Sequence, residues 1–115
     1  MLFDTSVVID VLRKRRQYEY GAISVVTLLE IVRGIGDGEM AEVLILLRQL
    51  YQVYDMDDAV ILTYSKLYQG LKAEKKRLAD VDMIIAATAH AKGEKLYTKD
   101  RDFEVVKELI DVAIV

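Results

Sequence analysis

The sequence predicts a three-layer α/β/α fold around a mostly parallel sheet of four or five strands. Two observations carry this. Short apolar runs of strand length alternate with longer segments of helical period, an order that calls for right-handed crossovers and helices on both faces of a sheet. The 115 residues are 53% apolar and 30% charged, and contain no proline, repeat or low-complexity stretch to mark a linker. They therefore suit a single domain, residues 1–115, with a well-buried core.

The elements follow in order. Met1 to Thr5 is a short buried strand, and Ser6 caps a helix through Val7, Val8, Val11 and Leu12 that ends in the basic run Arg13-Lys14-Arg15-Arg16. Ala22 to Val26 is a second strand. From Thr27, the series Leu28, Ile31, Val32 and Ile35 has helical spacing and stops at Gly34, Gly36 and Gly38. Met40 to Leu50 is helical, and Gln52 to Tyr54 is a third strand. After Asp57 and Asp58, the positions Val60, Tyr64, Leu67, Tyr68 and Leu71 step by four and three along an amphipathic helix. Asp80 caps a further helix, Lys95 to Thr98 is a strand, Phe103 to Leu109 a helix and Val112 to Val115 the last strand.

Composition removes whole classes of chemistry. Without cysteine there are no disulfides, thiol nucleophiles or Cys-based zinc sites, and with His90 alone there is no two-histidine acid/base pair within one chain. A metal ion must then rely on oxygen ligands, which favours Mg²⁺ or Mn²⁺. No apolar run approaches the roughly 18 to 20 residues that span a bilayer, and no signal sequence precedes the first strand, so a soluble, cytoplasmic protein without membrane contact is expected. The absence of Asn and Cys beside plentiful Lys, Arg and Glu points to a heat-adapted source.

Net charge is −3, yet positive charge collects in Arg13 to Arg16 and in Lys72, Lys75, Lys76 and Arg77. Arg13, Arg33, Lys72 and Lys75 are candidate phosphate contacts; the competing reading makes both runs solvated helix ends. His90 is expected to be exposed, and the seven tyrosines lie mainly at core spacing.

Carboxylates are the candidates for chemistry. In an open parallel sheet, ligands bind beyond the carboxyl ends of the strands, where strand order reverses. Asp4 follows the first strand and Asp100 the fourth, while Glu30 and Asp82 begin helices that lead off the same edge. Four ionised carboxylates in one cleft repel at roughly 3 kcal/mol per pair 5 Å apart, for an effective dielectric of about 20. One or two divalent ions would relieve that repulsion and support attack of water on a phosphodiester. Each acid has a plainer explanation. Thr27-Leu28-Leu29-Glu30 is a formal capping box, Asp82 suits a helix dipole, and Asp102 competes with Asp100. Asp4 is hardest to explain away, because a charge that closes a buried strand needs a partner.

Four motifs then carry a resemblance. Phe3-Asp4-Thr5-Ser6-Val7, Thr27-Leu28-Leu29-Glu30, Asp82 to Ala89 and Leu96 to Phe103, in that order across the chain, resemble a PIN domain, and more narrowly the VapC-type toxins of toxin–antitoxin pairs. The resemblance implies a Mg²⁺- or Mn²⁺-dependent endoribonuclease, a homodimer, and a small antitoxin that covers the cleft. It places the acidic set on Asp4, Glu30, Asp82 and Asp100, with Ser6, Thr98 and Thr5 as polar helpers, and leaves Asp102 as the rival of Asp100. The chain is short for that family, with little between Arg16 and Tyr20. Two other functions are weighed against it: a PIN-like scaffold that holds RNA or protein without cutting, and a receiver-type phospho-acceptor. The second is weak, because Thr5 and Ser6 follow Asp4 where a further acid would stand.

Overall fold

The computed structural model describes residues 1–115. Five strands, β1 (Leu2–Phe3), β2 (Ala22–Ser24), β3 (Gln52–Tyr54), β4 (Leu96–Thr98) and β5 (Val112–Ile114), form one sheet in the order β3-β2-β1-β4-β5. Every neighbouring pair is parallel, so the sheet is fully rather than mostly parallel. The helices are α1 (Thr5–Leu12), α2 (Val25–Val32), α3 (Met40–Leu50), α4 (Asp58–Ala73) and α5 (Asp80–Ala91), and a 3-10 turn covers Arg101–Val106. None is long and apolar enough to cross a membrane.

Alternation along very short strands builds the layers. Leu2 packs with Leu67, Leu71, Ile85, Leu96 and Phe103 under α4, α5 and the 3-10 turn. Its neighbour Phe3 points the other way, to Val7, Val8, Ile23, Leu28 and Leu47 under α1, α2 and α3. The chain moves outward from β1 through β2 to β3, then crosses to the far side of β1 for β4 and β5. With right-handed crossovers that reversal puts the two helix sets on opposite faces and opens a crevice between β1 and β4.

Several boundaries differ from expectation, each for a local reason. Ser24, not Thr27, caps α2: its Oγ accepts from Val26 N–H (3.2 Å), so Val25 and Val26 leave the strand for the helix. Asp4 occupies the cap position of α1, so Ser6 lies within the helix, and Ala79 rather than Asp80 precedes α5. The expected helix from Phe103 is only a 3-10 turn. Glycine ends a helix in the left-handed conformation only at Gly93 (φ +67°) after α5. There Gly93 and Glu94 donate back to the carbonyls of His90 and Ala89. The ends of α1 and α4 close in the same way on lysines, Lys14 (φ 59°) and Lys75 (φ 58°). Gly21 matters for space: a Cβ there would lie 2.6 Å from the Phe3 ring and 2.9 Å from the Met1 carbonyl oxygen.

Candidate active site

The end of β1 turns directly into α1 at Asp4, whose backbone amide donates to the Tyr97 carbonyl of β4 (2.9 Å). That bond fixes Asp4 at the crevice, 4% exposed. Its side chain makes no cap and is free for other partners. Oδ2 accepts from Thr98 Oγ1 (2.7 Å) and Ser6 Oγ (2.8 Å). Those hydroxyls in turn accept from the amides of Asp100 (3.0 Å) and Lys99 (3.3 Å). The lattice ties the ends of β1 and β4 together and uses one carboxylate oxygen twice. Oδ1 takes no protein donor, and since no buried polar side-chain atom lacks a partner, Oδ1 is open to solvent.

Glu30 projects from α2 into the same region. Its Oε1 accepts from Thr5 Oγ1 (2.6 Å). Thr5 has a single hydroxyl proton, so the fully buried Thr27, 3.0 Å away, donates to Thr5. The competing reading of Thr27 to Glu30 as a capping box does not hold: both residues lie inside α2 and form a relay with Thr5. Arg33 Nη2 approaches Glu30 Oε2 at 4.0 Å from an exposed position at the end of α2.

Asp82 sits in the first turn of α5, half-buried, and the neighbouring hydroxyls serve Asp4 and Glu30 instead of it. Burial pushes its carboxyl up to about 6, and the charges of Asp4, Asp100, Glu30 and Asp102 add to this in that order. All the predicted acids thus act on one point. Asp100 is half-buried and its Oδ1 accepts from Asp102 N–H (2.9 Å), while Asp102 is exposed and exerts the weaker influence on Asp82. Asp100 is the better-placed rival.

The donor set fits a hard divalent cation: oxygen ligands only, a surplus of negative charge, a free Oδ1 on Asp4, and a carboxylate disfavoured in its charged form until a cation approaches. As they stand, no three of these side chains are gathered to hold one ion, so ligation requires side-chain rotation.

The basic candidates are not brought to the acids together. Arg33 borders Glu30, whereas Arg13 lies at the far end of α1, roughly 13 to 14 Å along the axis from Asp4. Lys72 and Lys75 line a separate cleft of about 510 Å³ between α4 and α5. Arg13 and Lys72 both stand at helix ends, Arg13 at the C-cap of α1 and Lys72 in the last turn of α4. His90 is exposed, as expected, but the tyrosines are not mainly core: Tyr20 is 67% exposed and Tyr68 46%. Sequence reasoning missed the ion pair of Lys99 Nζ with Asp10 Oδ2 (2.6 Å), which ties α1 to the segment between Thr98 and Asp100. The hydrogen bond from Lys99 holds the largely buried Asp10 below the usual carboxylate range. A charge on the inner side of α1 was its only signal.

Comparison with known proteins agrees with this fold. A family model for the PIN domain matches residues 1–109. Ribonuclease VapC1 of Methanocaldococcus jannaschii is 40% identical over 111 residues, 94% of this chain and 82% of that protein. Ribonuclease VapC4 of Mycobacterium tuberculosis is 34% identical across 98% of this chain and 95% of its own. The solved VapBC-5 from Mycobacterium tuberculosis, described as a member of the VapBC family of toxin-antitoxin systems, aligns with a TM-score of 0.76 at 24% identity. That alignment covers 99% of this chain and 95% of the other, and at such identity it attests the fold. The chain belongs to the PIN-domain family, together with the VapC ribonucleases.

Proposed function

We propose that this protein is a divalent-metal-dependent endoribonuclease and the toxin of a toxin–antitoxin pair. One observation carries the chemistry: the half-buried Asp82 carboxyl, raised to about 6, lies among Asp4, Asp100 and Glu30 where strand order reverses. The names of its relatives support ribonuclease activity, and the toxin–antitoxin neighbour supports a small antitoxin as partner. A homodimer is part of the same reading.

Asp4 through Oδ1, Asp82 and Glu30 would hold Mg²⁺ or Mn²⁺, with Asp100 completing or assisting the set. When bound, such an ion supplies an activated nucleophile and charge stabilisation for the leaving oxygen. The chain's own contribution is orientation. Thr98 and Ser6 both donate to Asp4 Oδ2, which leaves Oδ1 free for an ion. The Thr27–Thr5 relay holds Glu30 Oε1 in the same manner. Arg33, beside Glu30, is placed to meet a phosphate at the rim. Hydrolysis by water leaves a 5′-phosphate.

The test is cleavage of single-stranded RNA in Mg²⁺ or Mn²⁺, repeated with excess EDTA. Cutting that stops with EDTA and resumes with added metal supports the mechanism; equal cutting in EDTA rules it out.

A further inference from the structure

We infer that the cleft between the end of α4 and the start of α5 is a nucleotide subsite, which holds single-stranded RNA as it leaves the acid cluster. This deepens the function proposed above and rests on it. The cleft, about 510 Å³, falls within the roughly 300–1,000 Å³ typical of small-ligand sites. Four cations line it, Lys72, Lys75, Lys76 and Arg77. Lys76 pairs with Glu74 (3.1 Å), while the other three have no carboxylate partner. Buried Leu71 and Met83 supply apolar surface between them. Tyr68, 46% exposed and stacked on Tyr64 at 6.3 Å and 21°, adds an aromatic ring. Cations for phosphates beside an aromatic face for a base are how proteins hold single strands without reading sequence.

Position connects the cleft to the acids. A second concavity of about 300 Å³ shares Arg77 and Leu78 with the first and reaches Asp102, whose amide is bonded to Asp100. The two concavities adjoin at Arg77 and Leu78 and extend from Lys75 to Asp102, one hydrogen bond from Asp100. The one carboxylate on the larger cleft, Asp80, accepts a hydrogen bond from Tyr64 (3.0 Å) and is outnumbered four to one by cations. Lys75 is held with φ 58°, in the left-handed position that Gly93 fills at the end of α5. A lysine stands where the backbone favours glycine, at the place where its charge faces the cleft.

That conformation supplies a clean test. Lys75→Gly removes the cation and gives the backbone the residue it prefers, and an unchanged urea midpoint for each variant separates lost binding from lost folding. Binding of fluorescein-labelled oligouridylate to the full chain is followed by anisotropy across a range of salt concentrations, beside an abasic oligomer of equal charge. Combining Lys75→Gly with Lys72→Ala and Arg77→Ala should weaken binding at least about tenfold and flatten the log–log salt slope by about 2, at roughly 0.7 per phosphate contact in a single strand. Tyr68→Ala should weaken oligouridylate binding at least about fivefold, the lower end for base stacking, and leave the abasic oligomer unaffected. Unchanged affinity and slope in the triple variant, with RNA still bound and cut, would overturn the subsite alone. No binding or cutting by the natural chain would overturn the function and the subsite together.

Discussion

Asp82 is shaped by two opposing demands. A carboxyl raised to about 6 is favoured in its neutral form by the fold, whereas an unfolded chain ionises it near its usual value of about 4. Its contribution to stability is therefore complete below about pH 4 and is lost as pH rises through about 6. Partial solvation reduces the cost to about 1 to 2 kcal/mol. Without divalent ions, Asp82→Asn should then raise stability at pH 7 by about that amount, measured by urea denaturation, and change nothing at pH 4. Thr98 makes the opposite case. Its hydroxyl serves both the Asp4 carboxylate and the Asp100 amide, so Thr98→Val should cost about 1 to 3 kcal/mol and weaken Mg²⁺ binding roughly 10- to 100-fold by calorimetry. That Asp4 and Asp82 come close together was legible in the sequence, because Asp4 ends a strand and Asp82 starts a helix at the same edge of the sheet. The relay from Thr27 through Thr5 to Glu30 was not, since Thr-x-x-Glu suits a cap equally well until Ser24 is seen to occupy that place.

At the scale of elements, strands of two or three residues suffice because both faces of the sheet are covered and adjacent side chains serve opposite cores. The strand–helix alternation was legible for the same reason: Leu2-Phe3 and Ala22-Ile23 are short apolar runs flanked by helical periods. The end of β2 was not legible. Val25 and Val26 are good strand residues, and only the Ser24 hydroxyl, which supplies a bond the strand cannot, turns them into helix. Gly21 marks the tightest approach between β1 and the chain entering β2. Gly21→Ala should drive a methyl group into the Met1 carbonyl and the Phe3 ring and destabilise the fold by about 1 to 3 kcal/mol, read from the midpoint of chemical denaturation.

For the whole molecule, the order β3-β2-β1-β4-β5 decides where chemistry can occur. Residues 4, 30, 82 and 100 meet only because the chain reverses direction in the sheet after β3, which leaves the ends of β1 and β4 side by side. Sequence reading reached that edge by counting strands, and it could not see the cleft beside it, since a concave surface between α4 and α5 depends on how two helices pack. On the function proposed above, charge repulsion within the cluster should make stability depend on divalent ions. Mg²⁺ should raise the melting temperature more at pH 7.5 than at pH 5, because more of Asp82 is ionised there and cation binding offsets its cost. An equal rise at both values would remove Asp82 from the ion's ligands.

The proposed function makes these four acids a metal-dependent centre that cuts RNA. It is tested most directly by the rate at which Mg²⁺ starts cleavage of single-stranded RNA by the natural chain and by Asp82→Asn, at equal folded concentration. The natural chain should cut and the variant should be slower by at least about a hundredfold, since it keeps the shape and loses only the charge. Equal rates would contradict the account.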